Sequence, residues 1–248
     1  MTTPFYLSAS TLELLALCEA RGLAKIQGAL PDDDSEALRE GRRNHKITQD
    51  FLRTGKVPPA HERAVHKIIA TLPVVGGSIP AHNIERVLVL PDPFFGFKDW
   101  SCDLMRIHGD LKFTSNVRYQ RAKDPTKDVQ RVLYSADHFY REPYMVSCKQ
   151  TWSVSQFNGQ TAIRLDHVWT RKASQKAFRK IIQEPVDKLN ERLQSGISWN
   201  EANKNFDACD KYPPNGCPMK GLGCKRSLSQ RLSSMKPSPQ AKKLKVIG

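Results

Sequence analysis

The stretch from Gly96 to Lys112 constrains this chain more than any other. Gly96-Phe97-Lys98-Asp99 and Asp110-Leu111-Lys112 flank a segment of strand-forming residues, which predicts two strands joined by a turn near Leu104 and Met105. In such a hairpin Asp99 and Asp110 stand opposite one another, and Lys112, two residues on, shares the face of Asp110. Two carboxylates that close repel unless a cation lies between them, and an oxygen-rich site of this kind suits magnesium or manganese. A lysine beside such a metal can orient or help deprotonate an attacking water and stabilise charge developing on a phosphate. The spacing alone is equally compatible with an exposed strand of alternating charge. Asp103 competes with Asp99 but falls in the predicted turn, and Glu85 is a further acid ahead of the first strand.

Three helical patterns precede the hairpin, at residues 11–27, 36–52 and 60–71. The first carries Leu12, Leu15, Ala16 and Cys18 behind Ser8 and Ser10. The second follows Asp32-Asp33-Asp34-Ser35, whose charge complements a helix dipole, and sets Gly41 and His45 on one face. Strands are predicted at 86–90, 94–101 and 104–113, then a Lys-rich loop over 114–127 and a helix over 128–140 with Gln130 and Tyr134 one turn apart. Two more strands, 145–156 and 161–170, meet at Asn158-Gly159, a strong hairpin signal, and a helix over 174–193 follows. The organisation is one domain over 1–224, with a helical part at 8–75, a core at 84–195 and a cysteine segment at 205–224. Residues 225–248 have few large apolar groups and are predicted to be a disordered basic tail.

The charge balance narrows the partner class. Lys and Arg number 39 against 25 Asp and Glu, giving +14, which favours a polyanion such as nucleic acid. Seven of those cations lie in 225–248 without any acid, leaving +7 for the first 224 residues. Lys242-Lys243-Leu244-Lys245 could add DNA affinity or act as a nuclear-targeting signal. No apolar run suits a membrane span or a signal peptide, so a cytoplasmic location is expected, where the six cysteines read as free thiols or metal ligands rather than disulfides.

In this order, these residues resemble the RecB-type branch of the PD-(D/E)xK nuclease superfamily, which includes the nuclease domains of bacterial recombination helicase–nucleases, the CRISPR adaptation nucleases and many phage exonucleases. The resemblance runs over 8–224 and rests on Ser8-Ala9-Ser10 with Cys18, Gly41 to His45, Gly96 to Asp99, Asp110-Leu111-Lys112, and Gln130 to Tyr134. It implies an α/β fold with a restriction-endonuclease-like core, a mixed β-sheet flanked by helices, helices at the N-terminus and a cysteine-bound segment near the C-terminus. It further implies that His45, Asp99, Asp110 and the backbone carbonyl of Leu111 bind metal, that Lys112 is catalytic, and that Gln130 and Tyr134 complete the site and contact DNA. The implied activity is a Mg2+- or Mn2+-dependent DNA exonuclease that processes single strands or duplex ends for recombination or repair. A single-strand annealing protein or a helicase is the implied protein partner. A non-catalytic DNA-binding or adaptor protein on the same fold, and a sequence-specific or structure-dependent endonuclease, are the alternatives.

Pro and Gly surround Cys209, Cys217 and Cys224 and keep the segment irregular. Iron–sulfur members of the resembled branch pair one cysteine in the first helix with three late ones, which makes Cys18 the fourth ligand here. The late cysteines of that branch often stand two residues apart, whereas this chain has seven and then six intervening residues. The expectation is a [4Fe-4S] cluster, with tetrahedral zinc as its competitor. Cys102 and Cys148 are expected to be small buried residues.

Overall fold

The computed structural model describes residues 7–30, 35–72, 83–94, 96–102, 107–205, 217, 219, 222 and 224, with backbone alone at 83–86 and 98–102. Cys209, Asp103, the acidic run Asp32-Asp33-Asp34 and the basic tail lie outside these residues, as does the side chain of Glu85. The elements in chain order are α1 (Ala9–Leu17), α2 (Glu19–Ile26), α3 (Glu36–Thr54), α4 (Glu62–Ile69), β1 (Asn83–Val87), β2 (Phe97–Cys102), β3 (Ile107–Thr114), α5 (Val117–Ala122), α6 (Val129–Arg141), β4 (Ser147–Gln156), β5 (Ala162–Thr170), α7 (Arg171–Phe178) and α8 (Glu184–Gln194).

The strands form one sheet in the order β1-β2-β3-β4-β5, antiparallel except where β3 meets β4. A parallel pair needs a crossover, and α5 and α6 supply it. The result is a mixed sheet flanked by helices, a restriction-endonuclease-like α/β fold. In the β2–β3 hairpin Trp100 pairs with Gly109, Ser101 with His108 and Cys102 with Ile107. One further step in that register sets Asp99 across from Asp110.

Alternation along β3 divides the core. Ile107 and Leu111 pack with Ile68, Leu72 and Leu52 from the α3–α4 side. On the other face, Trp152 and Val154 of β4 join Leu12 of α1, Val117 of α5, Val132 and Leu133 of α6, and Phe178. Trp152 is 1% exposed and Trp169 wholly buried, so the two indoles are a large share of the apolar area that this layer removes from water. Gly159 (φ +66°) turns the β4–β5 hairpin, and a Cβ there would come within 2.8 Å of the Ala64 backbone, so the turn requires glycine on both counts. A Cβ at Gly41 would meet only the Phe157 ring at 3.7 Å, an ordinary contact.

Four local features differ from expectation. The first predicted helix is two helices, because Cys18 is extended (φ −158°, ψ 112°); its amide closes α1 on Leu14 while its carbonyl accepts from Gly22 in α2. β1 ends at Val87 rather than Leu90 because the buried Asp137 carboxylate takes the Val89 amide, and Arg141, 3.0 Å from Asp137, donates to the Val87 carbonyl. The Lys-rich loop contains α5, begun by Asn116, whose side chain accepts from the Tyr119 amide. The last helix runs from Arg171 to Gln194 with a π turn at Arg179–Gln183 just before Pro185, the residue without an N–H to donate. Among the described residues, no helix is long and apolar enough to cross a membrane.

Candidate active site

The period of two along β3 and the 3.6-residue repeat of α6 bring two rows of side chains face to face. Lys112, Asp110 and His108 come from the strand, and Gln130, Tyr134 and His138 from successive helical turns. Lys112 Nζ donates to Gln130 Oε1 at 2.7 Å and pairs with Asp110 Oδ2 at 3.0 Å. Gln130 Nε2 donates to Asp110 Oδ1 at 2.9 Å and to the Tyr134 hydroxyl at 2.8 Å. Lysine can only donate and an ionised carboxylate only accept, so these contacts fix the orientation of the Gln130 amide. Tyr134 has one proton for two acceptors, the Phe97 carbonyl at 2.6 Å and Asp110 Oδ1 at 3.2 Å. Asp110 is 1% exposed, so its charge is held by this set of donors rather than by bulk water.

Four residues singled out in the sequence thus share one hydrogen-bonded cluster. The side chain of Asp99 is outside the described residues; its neighbour Trp100 pairs with Gly109, and continuing that register by one step sets Asp99 opposite Asp110. His45 is half-buried on α3, two turns before Leu52, which packs with Leu111, the residue between Asp110 and Lys112.

A supporting layer that the sequence does not mark lies against the row. Trp152 pairs with Asp110 across β3–β4, its ring 5.5 Å from Tyr134 and 6.0 Å from Lys112 Nζ. The Arg131 guanidinium lies 4.8 Å above the same indole. Arg131 is 3% exposed, and burial pulls its pKa down against the opposing fields of Asp128 and Asp110. No local pattern announces this stacking, because its members come from α6 and two strands.

Glu13 is a further residue near the row that the sequence does not mark. It interrupts the apolar run of α1, and its carboxyl sits where solvent reaches it but protein crowds it, in the field of Lys123, Asp128 and Lys112. Lys123 pairs with Asp128 at 3.2 Å, and Asp128 caps α6 through the Arg131 amide. Burial raises the Glu13 carboxyl above its ordinary value, Lys123 opposing, Asp128 reinforcing and Lys112 opposing. A raised acid keeps its proton in the folded state where the unfolded chain has lost it, so this group removes stability as pH climbs from the ordinary glutamate range through the folded pKa. Glu13→Gln is therefore expected to melt like wild type in strong acid and above it at neutral pH. Thermal melts across that range check this; a constant difference at all pH values would contradict it.

Deeper in the row, His108, His138 and Cys148 are buried, with one potential ligand atom each within 4.8 Å of the others. Hydrogen bonding argues against a metal there. Trp169 Nε1 can only donate, to Gln150 Oε1 at 3.2 Å, and the Arg131 carbonyl can only accept, from Gln150 Nε2 at 2.9 Å. The same Gln150 nitrogen lies 3.2 Å from His108 Nε2, which must then accept, and the proton of the neutral ring is on Nδ1. One ring nitrogen of His108 is occupied by a donor and the other by a proton. Cys148, expected as a small buried residue, is 3% exposed beside this pair.

A separate cluster joins the two ends of the described chain. Cys18, Cys217 and Cys224 pack with Met219, Leu23 and Leu189. Asn205 Nδ2 donates to the Leu17 carbonyl, and the Asn203 carbonyl accepts from the Ala20 amide, fastening the late segment to the break between α1 and α2. Burial pushes the Cys224 thiol up, Lys204 lowers it, and Cys18 and Cys217 raise it further, so the three sulfurs lie in one another's field.

No protein-family model matches the chain, and no curated protein matches it in sequence. Among solved structures, the crystal structure of a provisionally named exonuclease from Eubacterium rectale is similar over 93% of this chain and 94% of its own, with a TM-score of 0.59 and 14% identity. At that identity the likeness is one of fold.

Proposed function

We propose that the protein is a metal-dependent deoxyribonuclease of the RecB-type PD-(D/E)xK kind, most consistent with an exonuclease acting on DNA ends. The observation that carries this reading is the row Lys112–Gln130–Asp110–Tyr134, bonded across β3 and α6 on a mixed sheet. The fold shared with the Eubacterium rectale protein and the basic charge of the chain support it.

The donor chemistry fits a hard divalent cation. Asp110 is an enclosed carboxylate that already holds a cationic ammonium 3.0 Å from Oδ2, and Asp99 is its register partner. Asp110 and Asp99, with His45 and the Leu111 carbonyl, would hold Mg2+ or Mn2+, which would supply an activated water and offset charge on the phosphate. Gln130 holds Lys112 by its amide oxygen and Asp110 by its amide nitrogen, so strand and helix present both groups in a fixed relation. Lys112 stabilises negative charge on the phosphate oxygens or exchanges a proton with the attacking water. Tyr134 ties this set to the β2 backbone at Phe97. Linear DNA should be degraded with Mg2+ or Mn2+ and be stable in EDTA; degradation unaffected by EDTA would contradict the reading.

Cys18, Cys209, Cys217 and Cys224 are the proposed ligands of a [4Fe-4S] cluster, supported by the shared field of the three described thiols. Such a centre would couple closure of the chain ends to metal binding. Anaerobically purified protein is expected to be brown with iron and sulfide bound, and Cys217→Ser to be colourless and less stable. Colourless protein carrying zinc would identify the competing tetrahedral site instead.

A further inference from the structure

Beside the Lys112 end of the row lies a cavity of about 530 Å3 whose walls include Asn116, Arg118, Arg121, Gln156, Thr161 and Ile163. Its position follows from strand register. Lys112, Val154 and Ile163 form one cross-strand line over β3, β4 and β5, so all three share a face of the sheet. Val117 of α5 joins Val154 and Ile163 in the core on that face, which seats α5 over the line. Ile163 is two strand spacings from Lys112, about 10 Å. The cavity therefore opens on the same side of the sheet as the candidate active site, within reach of a neighbouring nucleotide.

The chemistry of the walls is that of an anion site. Arg118 and Arg121 are three residues apart on one face of α5, both exposed, and among the described residues neither guanidinium is held in an ion pair. The acids nearby are engaged elsewhere: Asp128 with Lys123 at 3.2 Å and Asp124 with Lys127 at 3.5 Å. Arginine presents a planar fork of donors that matches phosphate oxygens in pairs, and amide and hydroxyl groups of Asn116, Gln156 and Thr161 add neutral partners. Ile163 supplies an apolar wall for a sugar or base.

We infer that this cavity is a subsite for the DNA strand, in which Arg118 and Arg121 bind backbone phosphate next to the nucleotide undergoing cleavage. The inference rests on the proposed nuclease reading and extends it to how the strand is held. Sequence-independent grip of this type is electrostatic, so removing an arginine that neutralises a phosphate lowers the salt dependence of binding.

The test is fluorescence anisotropy with a labelled single-stranded oligodeoxynucleotide in EDTA, over a range of salt, on the full chain. The Arg118→Ala/Arg121→Ala double variant is expected to bind at least about tenfold more weakly at low salt. Its slope of log affinity against log salt should fall by about 1.4, for two phosphates neutralised on a single strand. Arg118→Lys/Arg121→Lys should recover the slope, because the charge is kept. Lys180→Ala, which removes an exposed cation from the π turn, should match wild type, and thermal melts confirm that all variants are folded. Wild-type affinity and slope in the double variant would overturn the subsite while leaving the nuclease reading intact. Weaker binding at unchanged slope would also overturn it. Failure of the wild type to bind DNA at all would overturn the subsite together with the nuclease reading.

Discussion

Asp110→Asn is expected to slow DNA cleavage about a thousandfold while leaving DNA binding close to wild type. The substitution keeps the shape of the side chain and the place of Gln130 and Tyr134, but removes the negative charge that would attract the cation. Lys112→Ala should lose activity on a similar scale for a different reason. It strips Asp110 of the ammonium 3.0 Å away and leaves Gln130 Oε1 without its donor. Removing one partner of an enclosed pair is costly, about 3–5 kcal/mol where burial is complete, and less here because the Lys112 side chain is 31% exposed. Asp110→Asn leaves the Lys112 ammonium without its carboxylate, but Lys112 is partly exposed and keeps Gln130 Oε1 as acceptor, so its loss of stability should be smaller than that of Lys112→Ala. Nuclease rates on linear DNA, paired with urea unfolding, separate the two effects. Equal digestion by both variants and wild type would overturn the site assignment.

Trp152→Ala should produce the largest loss of stability of any single substitution near the site, about 3–5 kcal/mol. The indole is 1% exposed and lies beneath Tyr134, Lys112 and Arg131, so its removal opens a cavity directly under the row. Arg131 makes the cavity worse than an apolar one, since its guanidinium loses the aromatic face on which it rests. Trp152→Phe keeps a ring and should lose much less. Urea unfolding at fixed pH reads both, and a Trp152→Ala midpoint within error of wild type would show that the layer does not support the row.

How much of the site is legible in the sequence depends on where each pattern is written. Asp110 and Lys112 are two apart on a strand, and Gln130 and Tyr134 four apart on a helix, so each pair is readable from local periodicity. Their meeting requires only that a helix cross over from β3 to its parallel neighbour β4, and the order of elements implies that crossover. Arg131 and Trp152 meet from two different elements, and Glu13 lies in the field of Lys123, Asp128 and Lys112 from a third; nothing in one segment signals an interaction made with another. α5 reads as loop in the sequence because six residues of mixed polarity carry too little periodic signal. The break at Cys18 leaves no mark there because the apolar spacing continues across it, while the backbone is set by packing against the late cysteine segment.

A row between β3 and α6 that cuts DNA from its ends requires a free end in its substrate. Linear duplex and covalently closed circular duplex of the same sequence, incubated side by side with Mn2+ and wild-type or Asp110→Asn protein, test it most directly. Wild type should release nucleotides from the linear form alone, and the variant from neither. Cleavage of the closed circle would make the protein an endonuclease, and intact linear DNA under every divalent ion tried would contradict the nuclease reading itself.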